Sequence, residues 1–161
     1  MRSITPLQLA LLVAFFGSVL AVFVPTFLRN LHASRLAEPL DGLDHISQVA
    51  SMQAAGSPPE LAYPVSVART PSQVPPGRAE ADPAGTWNHP TWRLLSFQKT
   101  KPHYYSFEFE SHTAESGAHF IARAFGDLDG DGELSHFEVY GEVQGVETPR
   151  IFPVRIHREV E

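Results

Sequence analysis

The chain begins with an apolar run from Leu7 to Leu28 that no charged residue interrupts. At a rise of ~1.5 Å per residue, a helix of this length spans about 30 Å, the thickness of a bilayer's hydrocarbon core. Residues 1–28 are therefore predicted to be a transmembrane helix segment. A cleaved secretory signal is the alternative, but signal cores usually hold about 7–15 apolar residues, and no Ala-x-Ala site ends this run.

The helical pattern continues beyond the apolar run. Apolar residues recur at spacings of three and four over residues 29–56, which predicts an amphipathic second half of the same helix. We expect one long helix from about residue 6 to 54, with kinks at Pro25 and near Pro39. The apolar face is formed by Leu36, Leu40, Leu43, Ile46 and Ala50.

A proline-rich segment follows at residues 57–90 and holds eight prolines. Proline lacks a backbone donor, so this segment is neither a regular helix nor a central strand, and it is predicted to be an extended connecting loop. Alternation at Tyr63, Val65 and Val67 suggests contact with a sheet edge. Its length favours a loop that lies over the domain rather than a disordered one.

Over residues 91–161 the apolar period changes to two, which is typical of half-buried strands. Strands are predicted at residues 103–111, 118–125, 137–143 and 151–156, giving an antiparallel sheet of three or four strands. So small a sheet needs one face covered, and the amphipathic helix is the only large apolar surface available. The predicted fold class is α+β: a long N-terminal helix packed on a small antiparallel sheet.

Several residues before the first of these strands are expected to join the core between helix and sheet. These are Trp87, Trp92, Leu94, Leu95 and Phe97. His89 and His103 each lie beside a proline, and both are predicted to be exposed loop residues. The glutamates of residues 103–111 alternate onto one face and are predicted to form its solvated side.

An acidic loop at residues 127–138 fits a 12-residue calcium-binding loop position by position. Calcium takes six to eight hard oxygen ligands, supplied in such loops by positions 1, 3, 5, 7, 9 and 12, with glycine at the sharp turn of position 6. Gly132 occupies position 6, and Leu134 at position 8 is expected to anchor the loop to the core. The predicted ligands are Asp127, Asp129, Asp131, the carbonyl of Glu133, Ser135 through water, and Glu138.

Calcium (Ca²⁺) is the cofactor that this loop predicts, and the alternative is a solvated acidic turn that binds nothing. Strands rather than helices flank the loop, so a structural role is favoured over a conformational switch. The metal would add stability that a small sheet lacks. A single extracellular loop of this kind typically binds with a Kd of roughly 10⁻⁴–10⁻³ M.

Charge and composition exclude several functions. The formal net charge is −6, and the first 37 residues carry three arginines and no acid, so the remainder carries −9. An acidic domain does not suit nucleic acid. There is no cysteine, and no His-Glu-x-x-His, Gly-x-Ser-x-Gly or phosphate-loop motif. No enzyme activity is predicted.

The N-terminal helix resembles that of the type IV pilin and pseudopilin family. The residues that carry the resemblance are Gly17, Pro25, Phe27, Leu28 and Arg29, at the family's spacings. It is specific over residues 4–55 and architectural beyond residue 60, where the acidic loop is similar to calcium loops inserted in some pilin-like sheets. Ser3 takes the place of the glycine that precedes the family's cleavage site, and Gln8 takes the place of its membrane-embedded glutamate.

The resemblance implies a structural subunit of a cell-envelope filament or secretion pseudopilus, and these substitutions suggest a minor or initiating one. Its partners would be other pilin-like subunits, through the N-terminal helix, and the inner membrane. The C-terminal domain would be extracytoplasmic, at the filament or cell surface. The sequence leaves open whether the chain is cleaved between Ser3 and Ile4 and whether the new N-terminus is methylated. The alternative is a non-assembling, membrane-anchored calcium-binding module.

Overall fold

The computed structural model describes residues 5–114, 116–145 and 147–158, excepting the side chains of residues 28–34 and 158. The predicted cleavage position between Ser3 and Ile4 lies outside the described residues. By its internal contacts the chain divides into two units, Met1–Leu36 and Ala37–Glu161. Helix α1, Pro6–Ala54, crosses the boundary between them. Its first and last residues agree with the predicted limits.

The start of α1 is fixed by reciprocal capping. The Gln8 backbone N–H donates to Thr5 Oγ1 at 3.3 Å, and the Thr5 backbone N–H donates to Gln8 Oε1 at 3.0 Å. Two backbone donors that the first helical turn leaves without partners are thereby satisfied. Pro6 suits the first helical position because its missing N–H would have no intrahelical acceptor there. Gln8 therefore acts on its own helix terminus.

The first unit contains one helical segment, Pro6–Phe27, that is long and apolar enough to cross a membrane, with a mean hydropathy of 2.5. None of its most apolar window is buried within the protein. Its hydroxyl groups are satisfied internally: Ser18 donates to the carbonyl of Ala14, and Thr26 to that of Val22. Such internal pairing suits a helix surrounded by hydrocarbon, where water cannot accept these bonds.

The second unit is an antiparallel sheet with short helical segments before it. A 3₁₀ helix, Pro59–Leu61, and a short helix α2, Pro90–Leu94, precede the longer strands. The strands are β1 Val67–Thr70, β2 Tyr105–Ala114, β3 Gly117–Gly126, β4 Ser135–Gln144, β5 Arg150–Ile151 and β6 Arg155–Arg158. Their order is β1-β2-β3-β4-β5, and β6 also pairs with β4. Both the α+β class and the antiparallel sheet are as predicted.

Two differences from the predicted strands have local causes. The strand expected at residues 151–156 is divided into β5 and β6, since Pro153 between them has no N–H to donate. The proline-rich segment contributes β1, which pairs with Phe107 and Phe109 of β2 at the sheet edge. Six strands therefore occur among the described residues, where three or four were expected.

The second half of α1 covers one face of the sheet with a narrow stripe of small and apolar side chains. Leu43, Ile46, Ala50 and Ala54 are all buried. The stripe begins at Pro39 rather than at Leu40, which the sequence pattern had placed in the core but which is 39 % exposed. Leu40 lies about 60° around the helix from Leu43, since successive residues turn by ~100°. Pro39 stands four residues before Leu43 and faces the core instead.

Gly42 allows a close approach of α1 to the sheet. A Cβ atom at this position would lie 2.5 Å from Cε1 of Phe107. The Phe107 ring is fully buried, and it packs edge-on against Phe97 with ring centroids 4.8 Å apart. Trp87 and Trp92 join the same cluster. The absent side chain of Gly42 is therefore a requirement of the helix–sheet contact.

Besides Leu40, two further predictions about individual side chains are wrong. Leu94 was expected in the core but is 55 % exposed, whereas its neighbour Leu95 is buried. His103 was expected to be an exposed loop residue but is 2 % exposed. His89 is exposed, as expected, and its Nδ1 accepts a hydrogen bond from the Thr91 backbone N–H at the start of α2.

We expect Gly42→Ala to destabilise the second unit by about 1–3 kcal/mol, the usual cost of forcing an extra methyl group into a packed core. Alanine has the higher helix propensity, and on an open helix face the same change stabilises by roughly 0.5–1 kcal/mol. Urea denaturation of the full-length chain in detergent measures the difference. Gly17→Ala is the control, because nothing lies within 4 Å of its added Cβ. A gain in stability for Gly42→Ala would contradict the close approach.

Candidate metal centre

The candidate metal centre lies in the loop that joins β3 to β4. Gly126 ends β3 and pairs with Ser135, which begins β4, so the intervening residues form the closed end of a hairpin. The glycines at 130 and 132 have φ angles of +78° and +87°, a backbone region that glycine enters without steric cost. The loop therefore folds back tightly over its own first residue.

Asp127 organises this loop through both carboxylate oxygens. Oδ1 accepts a hydrogen bond from the Gly130 backbone N–H at 2.8 Å, and Oδ2 accepts one from the Gly132 N–H at 3.2 Å. The residue is 5 % exposed, so this carboxylate is fixed in a largely dehydrated position. Leu128 beside it is 6 % exposed and anchors the loop to the core, whereas Leu134, the predicted anchor, is only half-buried.

Two further aspartates complete a compact acidic group. Asp129 Oδ1 accepts from the Asp131 N–H at 3.2 Å, and Asp131 Oδ1 accepts from the Glu133 N–H at 2.7 Å. One carboxylate oxygen from each of Asp127, Asp129 and Asp131 lies within 4.8 Å of the others. Three of the six predicted ligands are therefore brought together. Their oxygens retain lone pairs beyond those that accept the N–H groups.

The remaining predicted side-chain ligands, Ser135 and Glu138, make other contacts. Ser135 is buried, and its Oγ donates to the Gly126 carbonyl at 3.1 Å. Glu138 lies three residues into β4, about 10 Å beyond Ser135 at ~3.3 Å per residue. Its Oε2 accepts a hydrogen bond from Arg123 Nε at 3.0 Å. For Glu133, the predicted ligand was the main-chain carbonyl, and its carboxylate is not grouped with the three aspartates.

Arg123 forms a polar cluster on the open face of the sheet. It donates to Glu138, to Glu108 at 2.7 Å and to Glu110 at 2.8 Å. The hydrogen bond from Arg123 lowers the pKa of Glu110, and the hydrogen bond from His112 lowers it further. The hydrogen bonds to the three glutamates raise the pKa of Arg123 against the opposing effect of burial. The sequence prediction of a simply solvated glutamate face missed this cluster, because only the strand register brings Arg123 between those glutamates.

The proline-rich segment contacts the acidic loop through its main chain. The Gly77 backbone N–H donates to the Asp127 carbonyl at 2.7 Å, and Pro76 forms an isolated bridge with the same residue. A Cβ at Gly77 would lie 3.6 Å from the Gly130 backbone. The main chain of the connecting segment therefore contacts the loop directly, and the conformation of one affects the other.

The donor set of the three aspartates fits a hard cation. Carboxylate oxygens are the ligands that calcium, magnesium and manganese prefer, while zinc and copper favour imidazole or thiolate. The three aspartates would hold the ion and fix its position, and Gly132 would keep the turn tight enough for them to converge. The chemistry that such an ion supplies here is charge neutralisation, because the three carboxylates otherwise repel one another.

Over the residues that the structure describes, fold and site define an α+β protein with one candidate membrane span and a three-aspartate candidate metal centre. No protein-family model matches the chain, and no curated protein or solved structure matches it significantly.

Two variants test which predicted ligands hold a metal. We expect Asp129→Asn to lower calcium affinity at least about tenfold, because a charged oxygen ligand is lost. Glu138→Gln should change it less than about twofold, since the Glu138 carboxylate already lies against Arg123. Isothermal titration of the full-length chain in detergent measures both. Equal losses in the two variants would mean that β4 rearranges to bring Glu138 to the ion.

Proposed function

We propose that this protein is a membrane-anchored, pilin-like structural subunit, a minor one, of a cell-envelope filament or secretion pseudopilus. Its C-terminal domain is extracytoplasmic and stabilised by calcium. Its partners are other pilin-like subunits, which it contacts through the N-terminal helix, and the inner membrane. It has no enzymatic role. The following observations support the proposal.

The supporting observation of greatest weight is that one helix carries two different surfaces. Over Pro6–Phe27, α1 exposes apolar side chains, among them Val13, Phe15 and Val22, each more than 60 % exposed. Over Leu43–Ala54 it buries a stripe against the sheet. An exposed apolar surface this large requires hydrocarbon or another protein around it. A helix with both surfaces suits a subunit that is held in a membrane and packs against other helices.

Gly17 supports close helix packing in the apolar segment. Nothing lies within 4 Å of the position that its Cβ would occupy. Small residues on a membrane helix let a neighbouring backbone approach closely, and this is a common basis of helix association in bilayers. Gly17 is also one of the residues that carry the resemblance to pilins, with Pro25 and Phe27 downstream.

A non-assembling anchored module is the second candidate, and Gln8 favours it. In the pilin family the glutamate at the corresponding place is thought to pair with the N-terminal amine of a neighbouring subunit. Here Gln8 carries no charge, and its Oε1 accepts the Thr5 N–H of its own chain. A charged contact between subunits is thus replaced by a neutral cap within one helix.

The chemical state of the chain's N-terminus and the proteins that contact the chain in the membrane distinguish these candidates. We expect intact-mass analysis of the protein from its host to show N-methyl-Ile4, whereas an intact Met1 favours the plain anchor. Because the chain contains no cysteine, single cysteines can be introduced cleanly. Val13→Cys, labelled with a thiol-reactive photo-cross-linker, should cross-link to a pilin-like subunit in membranes, and Gln144→Cys on β4 is the control outside the span. An intact Met1 together with no cross-link at Val13 would exclude assembly.

Calcium dependence of stability tests the structural role of the metal. We expect Asp129→Ala to lower the melting temperature much more in calcium than in chelator, where it loses only the exposed hydrogen bond from the Asp131 N–H. At a calcium concentration about 100 times the Kd, the lost stabilisation amounts to about 2.7 kcal/mol. Asp127→Asn should destabilise in chelator as well, because that carboxylate also holds the loop N–H groups. If Asp129→Ala lost as much stability in chelator as in calcium, the metal would have no stabilising role.

A further inference from the structure

The open face of the sheet carries two histidines that lie side by side on neighbouring strands. His112 of β2 and His119 of β3 are directly opposite each other in the strand register. Their rings are stacked, with centroids 5.0 Å apart and planes inclined by 26°. Facing residues on neighbouring antiparallel strands have Cβ atoms only about 4.5–5.5 Å apart, so the backbone itself keeps this pair together. Two imidazoles are thereby presented at one place.

His112 is oriented by a carboxylate that is itself fixed. Glu110 Oε1 lies 2.9 Å from Nε2 of His112, and Glu110 Oε2 accepts a hydrogen bond from Arg123 at 2.8 Å. The bond from Arg123 holds the pKa of Glu110 below its usual range, so this carboxylate is ionised and only accepts. Nε2 of His112 therefore carries a hydrogen, and Nδ1 has the lone pair of the neutral ring. A carboxylate behind a histidine is the usual support of a metal-binding imidazole.

His119 has ring nitrogens that are free to bind a ligand. Its ring contacts those of His112 and Tyr140, whose centroids lie 5.0 and 5.6 Å away. Among the residues that the structure describes, no group forms a hydrogen bond with either nitrogen of His119. The residue is half-buried, so water reaches only part of the ring. A polar group in such a position gains from a partner.

A carboxylate continues the row on the third strand. Glu142 of β4 lies directly opposite His119. Its Oε2 accepts a hydrogen bond from the Tyr140 hydroxyl at 3.1 Å, and Oε1 takes no part in that bond. Arg150, which is opposite Glu142 on β5, is exposed. His112, His119 and Glu142 thus form one row across β2, β3 and β4.

Two imidazoles and one carboxylate are a donor set for a divalent transition-metal ion. Zinc with three protein ligands is bound in some proteins by two histidines and a glutamate, with water in the open position. Calcium and magnesium prefer oxygen ligands alone, so this row and the three aspartates favour different ions. The two places are also well separated. His119 lies seven residues before Gly126, where β3 meets the acidic loop, or about 23 Å at ~3.3 Å per residue.

We propose that His112, His119 and Glu142 form a second metal site, which binds zinc or a similar divalent transition-metal ion. His112 Nδ1, a ring nitrogen of His119 and a carboxylate oxygen of Glu142 are the ligands, and water completes the coordination. The three side chains are less closely grouped than the aspartates, so Glu142 turns toward His119 as the ion binds. The ion joins three strands near the β2–β3 turn. This site is independent of calcium in the acidic loop and of assembly into filaments.

A second stacked histidine pair on the same face is the matched comparison. His136 and His157 have ring centroids 5.0 Å apart. The carboxylate beside them belongs to Glu138, whose Oε1 is 4.0 Å from His157 Nε2, beyond hydrogen-bonding distance. The other oxygen of Glu138 accepts from Arg123. The second pair therefore lacks the carboxylate support that Glu110 gives to His112.

Isothermal titration of zinc chloride into the untagged, full-length chain in detergent tests the site. Calcium is present in excess, so that the aspartates are not left for zinc. We expect one zinc ion per chain. Glu110→Gln should lower the zinc affinity about tenfold, because loss of a carboxylate behind a metal-binding histidine costs about 10–100-fold. His119→Gln should lower it at least as much, and His157→Gln is the control that should follow the wild type.

Two titration results would overturn the proposal: no zinc binding by the wild type, or a loss in His157→Gln as large as that in His119→Gln. Melting temperatures in chelator show whether each variant is folded, and they should equal that of the wild type within a few degrees for His119→Gln, whose ring makes no hydrogen bond within the described residues. Zinc at about 100 times its Kd should raise the wild-type melting temperature by roughly 5–10 °C.

The histidine rings provide a measurement that needs no variant. In a long-range ¹H–¹⁵N spectrum of the calcium-saturated wild type at about pH 7.5, where an ordinary histidine is mostly neutral, zinc should shift the ring nitrogens of His112 and His119. The largest change is expected at His112 Nδ1, and the signals of His136 and His157 should stay in place. Shifts confined to His136 and His157, or no shift at all, would contradict the assignment.

Discussion

The close contact between α1 and β2 is the constraint on which the second unit depends. Gly42 brings the helix backbone against the buried ring of Phe107, and the stripe from Pro39 to Ala54 covers the sheet behind it. Without the helix, the buried phenylalanine rings on this face of the sheet would be exposed to water. The helix thus covers one side of the core, and the rings of Trp87, Trp92 and Phe97 pack against one another within it.

The proline-rich segment is held on the second unit despite its composition. Eight prolines remove donors that a sheet would need. The segment is instead held at separate points, by β1, by Gly77 at the acidic loop and by Asp82 at His103. Each attachment uses a single residue or a short stretch, so each can be weakened by one chemical change.

Sequence patterns predicted those parts of the fold that depend on local chemistry. The limits of α1 follow from apolar periodicity and from the glycine and prolines after it, and the positions of β2, β3 and β4 follow from strict alternation. Leu40, Leu94 and His103 were placed wrongly, because their burial depends on which neighbours cover them. No periodic pattern in the chain carries that information.

The candidate metal centre was also predictable only where it depends on residues close together in the sequence. The spacing of Asp127, Asp129 and Asp131 was enough to predict that they converge, since a tight loop with Gly132 brings alternate residues together. The expected role of Glu138 rested only on its place at position 12 of the loop pattern. The register of the strand that follows places Glu138 opposite Arg123. Only the pairing of β3 with β4 shows this.

The edges of the sheet have a consequence for how copies of the protein can meet. On one side β1 has four residues, and on the other β5 has two and β6 four. Such short borders offer few free main-chain groups, so adding strands from a second molecule gains little, and cross-β stacking is disfavoured. Any ordered association must therefore use side chains, and the largest apolar side-chain surface among the described residues is the bare helix at the N-terminus.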